Sequence, residues 1–371
     1  MELTTLQIDC EDSGSELMEA NPTIDMREGE ELDLVKLDKV LKEIMPSLNG
    51  HPKVRQYASG ASNLTYLVSY ANREIVLRRP PLGEKAISAH SMLREYRVLT
   101  GLHEVYSSAP KPIFFTDDES LLGAEFYLME KVDGVLVKTS FPEAWNFNDS
   151  HRYKFCQIIF DKLIELHLLD YSAAGLDNFG KPDGYTERQI LGWNRRYLAS
   201  LTDDVPDFQD VRDWLQSRIP AETTPKSVVH GDFRIDNVMV DTKDPFNVVA
   251  VLDWEMAALG DPRMDLANSM AYWFQDDDPD ELRAMKNQPS DASGMMRRDE
   301  ILDYYFSKTG FETKHWDFYE VYGYFRLAVI SQQLYYRFVN KQTKDSRFAK
   351  FGEGASHLGR HCQKLIKRSF L

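Results

Sequence analysis

Cysteine is scarce in these 371 residues: Cys10, Cys156 and Cys362 are odd in number and far apart. That spacing excludes a disulfide framework and a cysteine-based zinc site, so all three read as free thiols. Long apolar runs are missing too. A stretch such as Phe325 to Ile330 carries Arg326 inside it and falls far short of a bilayer span, so no membrane segment is expected. The first residues lack the positive charge and apolar core of a secretory leader, which makes the cytoplasm the expected compartment. Bases are outnumbered by acids, 44 to 59, for a net charge of −15. The excess is local. From Met1 to Asp33 eleven acids face one base, Arg27, so two thirds of the imbalance sits in a stretch without sustained apolar periodicity. Residues 1–30 read as a flexible acidic tail, and neither nucleic acid nor membrane is an expected partner.

What is present is enough chain for two lobes or domains. Leu37, Val40, Leu41 and Ile44 recur at helical spacing and predict a helix from about Asp33 to Met45, ended by Pro46 and Asn49-Gly50. Strand-like runs follow at 54–57, 64–70 and 74–78, then a helix at about 88–102, then strands at 124–131 and 132–137. This first lobe is mixed, with about five strands. From Asp149-Ser150, a fitting helix start, the pattern turns helical, with Trp193 and Trp214 as core anchors and three helices after Asp299. The segment Asp276 to Gly294 reads as a polar, solvated insertion.

The chemistry concentrates in His230-Gly231-Asp232-Phe233-Arg234-Ile235-Asp236-Asn237, followed by Val251-Leu252-Asp253-Trp254-Glu255. Asp232 and Asn237 stand five residues apart, and Asp253 follows sixteen positions after the amide. Phosphoryl-transfer loops have this spacing: the first carboxylate takes a hydroxyl proton, while the amide and second carboxylate offer hard oxygens to magnesium. Alone, an Asp-x-x-x-x-Asn unit also suits turn caps. The His-Gly before it and the Leu-Asp-Trp-Glu after it favour the chemical reading. His167 reads as packing or surface.

On the residues Ser59-Gly60-Ala61-Ser62-Asn63-Leu64-Thr65-Tyr66, Val76-Leu77-Arg78-Arg79-Pro80-Pro81, Phe126-Tyr127-Leu128-Met129-Glu130 and the block from Val228 to Ala267, the chain resembles the aminoglycoside phosphotransferase-like branch of the protein-kinase-like superfamily. Within it, the chain is similar to the kinase-like domains fused to some acyl-CoA dehydrogenases. The resemblance spans roughly Leu34 to the C-terminal helices. It implies an α+β, two-lobed kinase-like fold, with a smaller lobe of antiparallel sheet plus helix (31–132) and a larger, mainly helical lobe (133–371). It further implies a nucleotide, ATP or GTP, between the lobes, with Mg2+ on Asn237 and Asp253 and Asp232 as base. Ser62 and Asn63 would cover the phosphates, Arg78 would hold them with Glu95 as its partner, and Glu130 and Val132 would face the adenine. Asp265 and His230 would brace the loop.

Two departures stand out. Arg78 occupies a position where related kinases carry lysine, and Arg79 could share its task. Arg234 follows the base by two residues, where it could contact the transferring phosphate or lie on the surface. The leading expectation is a magnesium-dependent kinase acting on a small-molecule hydroxyl, on a hydroxyacyl compound by the resemblance alone. A nucleotide-binding pseudokinase and an aminoglycoside-type antibiotic phosphotransferase remain as alternatives. A protein kinase is disfavoured because Gly-x-Gly-x-x-Gly, Asp-Phe-Gly and Ala-Pro-Glu are all missing. The acceptor pocket is expected from Tyr272, Trp273, Tyr324, Tyr335, Tyr336 and Arg337.

Overall fold

A computed structural model of the chain describes residues 22–58, 63–81, 91–343 and 345–370. The small lobe contains β1 (Thr23–Ile24), α1 (Leu34–Ile44), β2 (Lys53–Tyr57), β3 (Leu64–Ser69), β4 (Glu74–Arg79), α2 (Met92–Leu102), β5 (Pro112–Thr116), the short α3 (Glu119–Leu122) and β6 (Phe126–Glu130). Its strands form one antiparallel sheet in the order β1-β2-β3-β4-β6-β5. Alternation decides which face is buried: Leu64, Tyr66 and Val68 of β3 turn inward while Thr65, Leu67 and Ser69 are half-covered. The Asp33 carboxylate caps α1 by accepting the N–H groups of Val35 and Lys36.

Three expectations for this lobe need correction. The acidic tail does not extend to residue 30, because Thr23 and Ile24 pair with Tyr57 and Gln56 of β2. The Arg79 guanidinium also holds the carbonyls of Glu30 and Glu31. Residues 1–21, which carry most of the acids and Cys10, lie outside the described residues. The run Pro112–Thr116 is an unforeseen edge strand. Finally, the strand foreseen at 132–137 shrinks to Val135–Leu136, which pairs with a strand of the large lobe rather than joining the small-lobe sheet.

That strand, β7 (Val135–Leu136), opens the large lobe. It is followed by α4 (Asp149–Leu168), α5 (Tyr185–Ala199), α6 (Gln209–Ser217), β8 (Ser227–Val229), β9 (Val238–Val240), β10 (Val248–Val251), β11 (Ala258–Gly260), α7 (Pro262–Ala271), the short α8 (Asp280–Arg283), α9 (Arg298–Thr309), α10 (Trp316–Val339) and α11 (Phe351–Arg368). The helix cap at α4 is Asn148, whose amide oxygen accepts the His151 N–H. Trp193 and Trp214 are buried as expected, and Cys156 and Cys362 are free and buried. Among the described residues, no helix is long and apolar enough to cross a membrane.

Two features of this lobe position the site. Gly323 lets α10 lie directly against α7, since a Cβ there would meet the Ala267 carbonyl oxygen at 2.3 Å. The segment Asp276 to Gly294 is solvated only in part: Asp276, Asp277 and Asp280 are exposed, while Asp278 and residues 288–290 are buried. Asp278 takes both Nη atoms of Arg298 at 2.6 Å, and Gln288 and Ser290 are buried. Arg298→Leu would strand the Asp278 carboxylate, which is only 5% exposed. The expected loss is about 3 kcal/mol of unfolding free energy, read from urea denaturation against wild type.

Candidate active site

The loop between β8 and β9 holds the motif, and its backbone is tied down from four directions. Gly231 has φ +83°, and a Cβ there would meet the Met256 carbonyl oxygen at 2.7 Å, so only glycine fits the turn. Asp265, in the first turn of α7, accepts the N–H of His230 at 2.6 Å on one carboxylate oxygen and that of Gly231 at 2.8 Å on the other. His167 of α4 brings its Nε2 to the same carboxylate at 3.1 Å, and its Nδ1 lies 2.6 Å from the Tyr305 hydroxyl. Burial works to raise the Asp265 pKa, but His167, His230 and the loop N–H groups together pull it below its ordinary value. The His230 ring bridges the Leu252 carbonyl, 2.9 Å from Nε2, and the Asp232 N–H, 3.3 Å from Nδ1. The Gln288 amide oxygen accepts the N–H of Ile235, and its Nε2 donates to the Tyr272 carbonyl.

These ties bring Asp232, Arg234, Asp236 and Asn237 together. Asn237 Nδ2 donates to the Asp232 carbonyl at 2.9 Å, which orients the amide and leaves Oδ1 as its acceptor. Arg234 Nε lies 3.4 Å from Asp232 Oδ2, and its Nη2 lies 3.3 Å from Asp236 Oδ2, with the guanidinium over the Tyr272 ring. Burial pushes the Asp236 carboxyl up against the pull of Arg234.

Asp253 follows β10 in the left-handed region, φ +69°, where a non-glycine residue is uncommon. Its Oδ1 lies 3.1 Å from Nη2 of Arg78, while Nη1 of Arg78 lies 3.1 Å from Glu95 of α2. One guanidinium from β4 thereby joins a helix of the small lobe to a loop of the large lobe. A second tie across the lobes runs from Asn63 Nδ2 to Glu255 Oε2 at 2.7 Å. Asn237 and Asp253 together offer an amide and a carboxylate oxygen. Such a donor pair fits a hard cation that keeps water and phosphate oxygens as its other ligands.

A profile described as the phosphotransferase enzyme family matches residues 53–301. Human acyl-CoA dehydrogenase family member 11 is 32% identical over 325 residues, covering 85% of this chain and 40% of that protein. The chain spans less than half the length of the curated relatives it matches. A crystal structure of a Ralstonia eutropha protein assigned as an aminoglycoside phosphotransferase is 29% identical, with a TM-score of 0.77 over 91% of this chain and 99% of that one. A ternary complex of aminoglycoside phosphotransferase APH(4)-Ia with AMP-PNP and hygromycin B shares the fold, with a TM-score of 0.57 at 15% identity over 90% and 98% of the two chains. The chain belongs to the phosphotransferase enzyme family. It has the two-lobed kinase-like fold of these structures.

Against this phosphotransferase frame, Arg79 does not share the task of Arg78. Arg79 is buried among the Tyr66 hydroxyl and the carbonyls of Leu122, Glu30 and Glu31. Ser62 lies outside the described residues. Glu130 ends β6, with its N–H on the Lys111 carbonyl and its carboxylate 3.4 Å from Arg73, and Val132 lies half-buried in the link to β7. The expected aromatic pocket wall does not assemble. Trp273 and Tyr324 are core residues, and Tyr335 and Tyr336 line a surface recess with Leu201, Thr202, Asp203 and Asp204. Of that set, only Tyr272 stands beside the loop.

Three neighbours of the loop escaped the sequence reading. His167 and Gln288 make long-range contacts with no local signature. Arg326 hides in an apolar run, yet its Nη2 donates to the Gly231 carbonyl at 2.6 Å and lies 3.8 Å from Asp232 Oδ1. The 3.6-residue spacing of its neighbours could have put Arg326 on the face of α10 that Gly323 presses onto α7.

The buried Arg78 pair makes a pH prediction for this phosphotransferase. Burial, outweighing Arg78, pushes the Glu95 carboxyl from its ordinary 4.5 to about 7. The folded chain then binds this proton more tightly than the unfolded chain does. Stability from this group is fully present below 4.5 and is lost as pH rises through 7. Glu95→Gln is expected to flatten the difference in melting temperature between pH 4.5 and pH 7, measured by calorimetry beside wild type.

Proposed function

We propose that this phosphotransferase is a magnesium-dependent small-molecule kinase that moves the γ-phosphate of ATP, or of GTP, to the hydroxyl of a hydroxyacyl metabolite. The observation that carries the reading is the Arg78 bridge to Glu95 and Asp253, which sets a phosphate-binding cation and a metal-binding carboxylate side by side across the lobes. The nucleotide seen in the APH(4)-Ia complex supports the same cleft for this chain. The names of the longer relatives, acyl-CoA dehydrogenase family members, support an acyl compound as acceptor.

In this reading, the small lobe from 31 to 132 binds the nucleotide. Ser62 and Asn63 cover its phosphates, and Glu130 and Val132 offer backbone groups to its base. The lobe from 133 onward binds the acceptor. Arg78 grips phosphate oxygens through its planar fork, a different geometry from a lysine point charge. Asn237 and Asp253 would hold magnesium, which would supply charge neutralisation at the phosphates. Asp232 accepts a hydrogen bond from the acceptor hydroxyl and aims its oxygen at the γ-phosphorus. As the new P–O bond forms and the bond to the β-phosphate oxygen breaks, the hydroxyl proton passes to Asp232 and the nucleoside diphosphate leaves. Arg234, held between Asp232 and Asp236, faces the charge on the transferred group. The loose transition state makes orientation the larger part of what Asp232 contributes.

Screening hydroxylated metabolites, hydroxyacyl compounds included, for nucleotide-dependent phosphate gain tests the reading. On the acceptor so found, Asp232→Asn is expected to lower kcat by about 10²- to 10⁴-fold with nucleotide binding retained, and wild-type turnover in that variant would refute the base assignment. Asp253→Ala should erase the difference between nucleotide affinities measured with and without magnesium. Calorimetry reads that directly, and an unchanged magnesium dependence would count against the metal site.

A further inference from the structure

Three buried arginines and the half-buried Arg298 invite comparison. Arg79 reaches four oxygen atoms, Arg263 grips both carboxylate oxygens of Asp261, and Arg298 grips both of Asp278 together with the Trp273 carbonyl. Arg326 is 4% exposed, yet it makes one hydrogen bond, to the Gly231 carbonyl, and has one carboxylate, Asp232, at 3.8 Å. That carboxylate is already shared with Arg234. The Arg326 guanidinium rests over the Trp193 indole at 5.2 Å, and Arg196 of α5 rests over the same indole at 4.3 Å. Among the described residues, no carboxylate comes within ion-pair distance of Arg196. Two cations on one ring repel each other, and the Arg326 guanidinium, beside Asp232, has a single hydrogen-bond acceptor, the Gly231 carbonyl. The arrangement lacks an anion.

Position says where that anion comes from. A hydroxyl oriented by Asp232 sits about 3 Å from its carboxylate. Arg326 lies alongside that point, so a charged group a few bonds from the reacting hydroxyl reaches it, and Arg196, on the exposed side of Trp193, meets its outer oxygens. We infer that Trp193, Arg196 and Arg326 form an anion subsite of the acceptor pocket, which selects alcohols that also carry a carboxylate or phosphate group. The inference rests on the reading of Asp232 as the acceptor-facing base. It excludes polycationic acceptors, which the two guanidinium groups repel.

The test uses the full chain and the emission of Trp193, isolated as the difference between wild type and Trp193→Phe. The probes, added at constant ionic strength, are acetate, inorganic phosphate and neutral methyl acetate. A saturable change with acetate or phosphate and none with methyl acetate is expected, and the anion that binds more tightly identifies carboxylate or phosphate as the recognised group. Arg196→Ala, on an exposed position that the fold tolerates, should weaken that binding about tenfold, the effect of losing one charge-assisted contact. Arg326→Lys, which keeps the charge but loses the fork, should weaken it further. No response to either anion, an equal response to methyl acetate, or anion binding unchanged in Arg196→Ala would overturn the subsite. Failure of the kinase reading looks different: anion binding would persist while no alcohol gained phosphate.

Discussion

Everything in the cleft hangs on one guanidinium. Arg78 projects from β4 and meets Glu95 and Asp253, which are brought there by a helix of one lobe and a loop of the other. A planar fork can hold two carboxylates at fixed angles, which a lysine ammonium cannot. The placement of α2 over the sheet and of the β10 loop under it is thereby coupled through a single group. The Asn63–Glu255 contact repeats the coupling just before β3.

The large lobe answers with a loop whose backbone is held almost atom by atom. Asp265 takes two successive N–H groups, Arg326 takes the Gly231 carbonyl, Ser269 donates to the Phe233 carbonyl, and Gln288 accepts the Ile235 N–H. Rigidity of this kind suits phosphoryl transfer, in which little covalent chemistry is asked of the protein and position supplies most of the rate. These backbone groups are tolerable when buried because each of those named finds a partner, and Arg326 lies 3.8 Å from Asp232 beside them.

How far this was legible in the sequence depends on the range of each contact. Asp232, Asn237 and Asp253 could be read because the loop, β9 and β10 follow one another, so spacing along the chain maps directly onto spacing in the site. The two-lobed architecture and the Arg78–Glu95 pairing came from resemblance. The segment 276–294 was read only in part: Asp276 and Asp277 are solvated as they look, but Asp278 between them and α8 is buried against Arg298, twenty residues away. His167 and Arg326 were opaque for a related reason: their partners lie 98 and 95 residues off, and no local pattern marks a polar side chain destined for an interior contact. The edge strand β1 was missed because it is two residues long and gains its pairing from β2, beyond α1, whereas β5 pairs with the next strand, β6.

Asp265 carries one more implication. Its carboxylate gathers α4, the loop at 230–231 and, through His167, the Tyr305 hydroxyl of α9, so four stretches spanning 138 residues must already be docked before the two loop amides find their acceptor. Closing such distant contacts is slow and entropically expensive, and it rewards only a chain that is otherwise assembled. The loop therefore depends for its shape on contacts that reach across the helical lobe.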